Sequence, residues 1–302
     1  MWGEKSAENR KKSAHASGTC SIIRSHVRLL NPFLKAKRRA ELAETCSARA
    51  SSTRKQSEQK ISLYEMPPEI YDEYMSTQME ERNFEEVFRR VRKAAGEKTR
   101  ILDLCCGTGI FLRKWLSRLE NVSYVGVDIN RPFLEFAIKN SKGMKNCRFV
   151  KGDAVEVRLN EEFDRVLATS AYHHIPDEKK VDFLRNVARH LKRSGVGVIY
   201  EKLVAPFNDA VSRVISGTSF YFERILNVMR EQELSEMQLF ALFNELYLTS
   251  VRKEEYKVTF ERLMNELQEA GLVVLDEVKL WPADDRFQNP KVGDFAVTFR
   301  KR

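Results

Sequence analysis

Three aspartates stand at or just beyond the ends of successive apolar runs. Asp103 lies in Ile101-Leu102-Asp103-Leu104, Asp128 ends Val125-Gly126-Val127-Asp128, and Asp153 follows Lys151-Gly152. After the first run comes a turn of small residues, Cys105-Cys106-Gly107-Thr108-Gly109. Gly107 and Gly109 let the backbone turn sharply and approach a bound ligand closely. A carboxylate at a second strand end can accept two hydrogen bonds from ribose hydroxyls, and Asp153 offers an acceptor for an adenine amino group. Asp103 beside the turn would repel a pyrophosphate and attract a cation. A dinucleotide fingerprint also requires a third glycine three residues after the second, and that position is Leu112. A cationic nucleoside ligand therefore fits better than NAD. Each acid taken singly has another reading, a turn carboxylate bonded to nearby backbone.

For three acids to share one site, their strands must lie side by side with their carboxyl ends together. The chain has the pattern for this. Apolar runs at 101–104, 122–127, 147–150, 163–168 and 196–200 alternate with helical stretches such as 110–119, 132–140 and 178–192. Such alternation predicts right-handed crossovers and a mainly parallel sheet. Two further runs, 272–280 and 294–299, flank a loop with Pro282, Asp284, Asp285 and Pro290, and are expected to be antiparallel neighbours at the sheet's end. Ile70, Tyr74, Phe84, Val87, Phe88 and Val91 recur at helical spacing before the first strand. From about 205 to 260 the alternation stops and an aromatic-rich helical cap is expected, containing Phe207, Phe220, Tyr221, Phe222, Phe240, Phe243, Tyr247, Tyr256 and Phe260.

Taken together, these motifs resemble the class I S-adenosylmethionine-dependent methyltransferases. The shared features are D-x-G-x-G-x-G, an acidic second-strand end and G-D-A or G-D-x. The likeness is close over residues 98–201 and extends in pattern to the last two strands. It implies an α/β fold: a mainly parallel, seven-stranded Rossmann-like sheet with its last strand antiparallel, N-terminal helices, and a helical cap inserted after the fifth strand. It also implies S-adenosylmethionine as cofactor. Asp103, Gly107 and Gly109 would hold the methionine part, Asp128 the ribose, and Asp153 with Ala154 the adenine. Cys105, Thr108, Ile129 and Thr169 complete the implied cofactor-binding set. Cys105 stands where the family usually has its first glycine, so its backbone is expected to avoid the left-handed region. From Glu201-Lys202 onward the chain is similar to the carboxy-S-adenosylmethionine synthase branch, in that pair, an aromatic helix pair and the helix end Leu267 to Leu272. That branch uses an arginine in the insertion to recognise an extra carboxylate. Phe240 aligns there, so ordinary methyl transfer is expected instead.

The fourth strand runs out into Ala168-Thr169-Ser170-Ala171-Tyr172-His173-His174-Ile175-Pro176-Asp177, a loop that in this fold faces the methyl group. Tyr172 and His173 are the catalytic candidates, as substrate contacts, with His173 a candidate general base. The other reading is a histidine that bonds backbone and shapes the loop. Transfer from a sulfonium needs little acid or base help, because alignment supplies most of the rate.

The net charge of +9 sits in residues 1–60, which hold 14 basic and 5 acidic residues; the remainder balances at 38 of each. The stretch 61–302, the expected methyltransferase domain, therefore lacks the bulk charge of a nucleic-acid binder, and a small-molecule acceptor is favoured over RNA or protein. Residues 1–60 read as a basic, disordered tail with no periodicity, though a transit peptide has roughly that composition and a misplaced start would look the same. Five irregularly spaced cysteines, with Cys105 and Cys106 adjacent, suggest neither a disulfide framework nor a metal site. A reducing, cytoplasmic location is expected, with no metal, no membrane partner, and a homodimer through the cap as an option.

Overall fold

Each apolar run becomes a strand, and together they form one sheet. The computed structural model describes residues 66–93 and 98–302; the expected tail over 1–60 lies outside the described residues. The strands are β1 (Thr99–Leu104), β2 (Val122–Asp128), β3 (Cys147–Lys151), β4 (Phe163–Thr169), β5 (Leu191–Leu203), β6 (Leu272–Trp281) and β7 (Gly293–Lys301), in the order β3-β2-β1-β4-β5-β7-β6. β1 to β5 pair in parallel, and β7 runs antiparallel between β5 and β6. The expected α/β class and the antiparallel last strand are thus borne out. The order reverses direction between β1 and β4, which opens a crevice at the carboxyl ends of those strands.

Two apolar layers cover the sheet. On one face lie α1 (Pro68–Tyr74), α2 (Gln78–Lys93), α3 (Ile110–Lys114) and α4 (Arg131–Asn140), together with α6 (Ala210–Glu231) and α7 (Glu236–Val251) of the cap; Phe84, Phe111, Leu134, Phe220 and Leu242 are buried here. On the other face, α5 (Lys180–His190) and α8 (Phe260–Glu269) bury Phe183, Leu184, Leu263 and Leu267. The first crossover helix is shorter than its pattern. The helix is capped by Trp115, whose ring packs 5.1 Å from Phe84 and 5.7 Å from Phe111, and a 3-10 turn follows at Leu116–Arg118.

The cap helices begin at well-formed capping boxes, Asp209 with Ser212 and Ser235 with Gln238. Their aromatics do not converge on the crevice. Phe220 and Tyr221 are core residues, Phe220 stacking 5.8 Å from Phe287, whereas Phe240 and Tyr247 are 48% and 47% exposed. Phe240, placed by the likeness at an arginine position facing substrate, instead faces outward.

A fully buried ion cluster ties the cap down. Arg224 of α6 pairs with Glu80 of α2 and Asp294 of β7. Tyr200 Oη donates to Glu80 Oε2 at 2.8 Å, Asn83 Nδ2 donates to Asp294 Oδ2 at 2.7 Å, and Lys202 Nζ lies 3.4 Å from Glu80 Oε1. Among the described residues, no helix is long and apolar enough to cross a membrane.

Candidate active site

The glycine turn sits at the crevice and is pinned by the acids around it. β1 delivers Asp103 into a nearly solvent-free position, 1% exposed. Tyr124 Oη donates to its Oδ2 at 2.9 Å, and Oδ1 has no hydrogen-bond partner. A buried carboxylate oxygen without a donor is costly, so this position suits a cationic or hydrogen-bonding ligand. Burial raises the Asp103 carboxyl to about 7, with the charge of Asp128 adding to the rise and the Tyr124 bond opposing it.

Asp128 ends β2 and closes the turn from beside. Its Oδ2 accepts from Gly107 N at 2.7 Å and its Oδ1 from Asn130 N at 2.8 Å. Burial pushes this carboxyl above its ordinary value, and those backbone donors oppose the push. Each oxygen keeps a second acceptor site, so ribose hydroxyls remain compatible. Ile129 beside it is 65% exposed. Asp153 is half-buried, its Oδ1 accepting from Val155 N at 2.8 Å, while the buried Ala154 presents its carbonyl to Asn186 Nδ2 at 2.9 Å. Asp153 is therefore a turn carboxylate with one oxygen committed. Burial raises the Cys105 thiol, and the charges of Asp128, Asp103 and Asp153 raise it further.

The expectation for Cys105 is corrected. Its φ is 62°, squarely left-handed, as are Gly107 at 56° and Gly109 at 72°. A side chain in this region costs roughly 1–3 kcal/mol, and the bonds from Cys106 N to Val127 O (2.9 Å) and Gly107 N to Asp128 hold the chain there regardless. A Cβ on Gly109 would meet Ala137 Cβ at 3.2 Å, so that glycine lets α4 approach the turn.

Thr108 is fully buried, and its hydroxyl donates to Asp72 of α1, which also pairs with Arg113. Its side chain is thus engaged by protein. The neighbouring Tyr71 comes within 3.7 Å of where a Gly107 Cβ would stand and packs 5.2 Å from Phe133. Tyr71, Asp72 and Tyr124 are site residues that pattern reading missed. A polar pair inside an amphipathic helix was the available signal for the first two.

On the β4 side, Thr169 is 8% exposed and Ser170, at φ 52°, accepts from Lys202 Nζ at 2.6 Å. Tyr172 departs from its expected substrate contact. It is fully buried, packs 5.9 Å from Phe183, and donates its hydroxyl to Glu266 of α8, on the opposite face of the sheet. His173 is 3% exposed, its Nδ1 lying 2.6 Å from Glu201 Oε1. Burial drives the imidazole well below its ordinary value, against the pull of Glu201. Glu201 also accepts from His173 N and Lys202 N, so the Glu-Lys pair is bonded internally. The cap loop reaches in, with Tyr256 N donating to His173 O at 2.6 Å. A surface groove of about 630 Å³ lies elsewhere, among Gln78, Glu81, Arg82, Glu85, Lys114 and Trp115. It is wide open and has no acid of the turn in its wall.

Residues 101–195, which contain the turn and all three acids, match the methyltransferase domain family. That segment is similar to methyltransferase domains. The chain is 33% identical over 119 residues to a demethylmenaquinone methyltransferase of Staphylococcus aureus, a match covering 37% of this chain and 48% of that protein. The chain spans about half the length of the curated relatives it matches. Among solved structures, an S-adenosylmethionine-dependent methyltransferase from Clostridium acetobutylicum superposes with a TM-score of 0.51 at 14% identity, covering 77% of this chain and 96% of that one. The N-methyltransferase NodS of Bradyrhizobium japonicum, in complex with S-adenosyl-L-homocysteine, gives 0.50 at 13%, covering 78% and 97%. These likenesses are of fold alone.

Proposed function

We propose that the chain binds S-adenosylmethionine at the β1–β2 turn and transfers its methyl group to a small-molecule acceptor. The observation that carries this reading is the buried Asp103 Oδ1, which lacks a donor beside a glycine turn, with a second carboxylate nearby. Asp103 would take the methionine ammonium, Asp128 the ribose hydroxyls, and Ile129 and Ala154 the faces of the adenine. The bound cofactor supplies an activated methyl carbon. The chain's part is to align, and to exclude water with the covered turn. No obligatory base is assigned, since Tyr172 and His173 are committed to Glu266 and Glu201.

A small acceptor is supported by the balanced charge beyond residue 60 and by the burial of the loop after β4 beneath the cap loop. The demethylmenaquinone relative suggests an apolar ring compound. Calorimetry of the whole chain with S-adenosylmethionine and with NAD tests the cofactor; saturable binding of NAD alone would overturn the reading.

The partner we assign to the cap is a second copy of the chain. Met237, Phe240, Asn244, Tyr247 and Val251 follow the three-four spacing of a helix seam along α7, and the four apolar members are 44–49% exposed. Antiparallel pairing about Asn244 would bring Glu233 and Glu236 of one copy to Lys253 of the other, an arrangement that two-fold symmetry repeats.

A further inference from the structure

Where the cap loop meets the loop after β4, two imidazoles and a carboxylate come together. Glu255 Oε1 lies 3.5 Å from His174 Nδ1 and 3.8 Å from His173 Nε2, and one ligand atom from each of the three residues lies within 4.8 Å of the others. Glu255 is 1% exposed, yet its Oε1 receives no hydrogen bond. Its cationic neighbour, Lys257 Nζ, stands 2.9 Å from Oε2 and leaves Oε1 facing the imidazoles.

We propose that His173, His174 and Glu255 form a binding site for a divalent transition-metal ion, with zinc as the reference species. Two nitrogens and one carboxylate oxygen are a donor set suited to zinc, cobalt or nickel and unsuited to magnesium or calcium. The supporting shell is already built. His173 holds its other nitrogen 2.6 Å from Glu201 Oε1, the carboxylate–histidine arrangement that fixes ring orientation in metal sites. The loop before Glu255 is held in left-handed backbone at Arg252 (φ 52°) and Glu254 (φ 58°), an expense that fits a functional position. Lys257 balances part of the acidic charge. A small void of about 10 Å³, lined in part by Glu255 and Lys257, adjoins the cluster and has room for about one water as a further donor. His174 Nδ1 also lies 2.9 Å from Glu254 O, so metal binding exchanges that hydrogen bond for a coordinate bond. The ion would join the cap loop to the sheet's carboxyl edge, independently of the S-adenosylmethionine reading.

The test uses the full chain, stripped with chelator and titrated with zinc chloride by calorimetry, and with cobalt(II) by visible absorption. One ion per chain is expected at this site, with nitrogen–oxygen cobalt spectra free of thiolate charge transfer. Glu255→Gln and His174→Gln should each remove that ion, and Glu201→Gln should weaken it by roughly 10–100-fold. Circular dichroism verifies folding. Should Glu255→Gln fail to fold, His174→Gln carries the test, because its ring is partly exposed. Absence of stoichiometric binding in the parent chain, or binding unchanged in the folded variants, would overturn the site.

Discussion

Tyr124 donates its phenol to one oxygen of Asp103 at 2.9 Å and leaves the other bare. The carboxyl so held sits at about 7 instead of near 3.8. A cationic ligand selects its ionised form, so affinity for S-adenosylmethionine should fall as pH drops below 7, by at most about tenfold per pH unit. Calorimetry between pH 6 and 8 measures this. Asp103→Asn should bind weakly and show no such step; a pH-independent parent would remove Asp103 from the site.

The same group makes a claim on stability. Its folded value lies above its unfolded one, so its stabilising contribution is complete below pH 4 and is lost as pH rises through 7. At most about 4 kcal/mol is involved. Denaturant titrations of ligand-free chain at pH 6 and 8 should show the parent losing stability relative to Asp103→Asn.

Cys105→Gly should stabilise the fold. Relief of a left-handed side chain is worth about 1–3 kcal/mol, less about 0.5–1 kcal/mol for added chain entropy. Thermal unfolding should rise by a few degrees, and a lower midpoint would show that the thiol packs usefully.

Arg224→Leu leaves Glu80 and Asp294 buried without their cation. A loss of roughly 3–5 kcal/mol is expected, read as a lower denaturant midpoint. A variant that also carries Glu80→Gln and Asp294→Asn should recover much of it.

Phe240→Asp tests the cap seam. Light scattering should report a dimer for the parent and a monomer for the variant, with circular dichroism spectra alike because the residue is exposed and a parent unfolding midpoint that rises with protein concentration.

What pattern could reveal was local. The strands, the turn and the acids at Asp103 and Asp128 follow from periodicity of two against 3.6 and from small residues in a turn. Long-range pairings left no comparable trace. Asp72 reaches Thr108, Tyr172 turns to Glu266, and Glu255 meets His173 across more than eighty residues of chain. Nothing in the spacing of those residues encodes the crossing of helix and sheet that brings them together. Cys105 shows the opposite failure. A steric preference for avoiding positive φ was correct in sign and too small to resist the bonds of its neighbours.

The Arg224 cluster has a mechanical consequence. Its three elements come from the start, the middle and the finish of the domain, and swinging α6 outward would strand two carboxylates in an apolar layer. Under the proposed function, passage of an acceptor toward the β4 loop would rely on give in α7, α1 or the connecting loops, with α6 serving as the fixed post around which they shift.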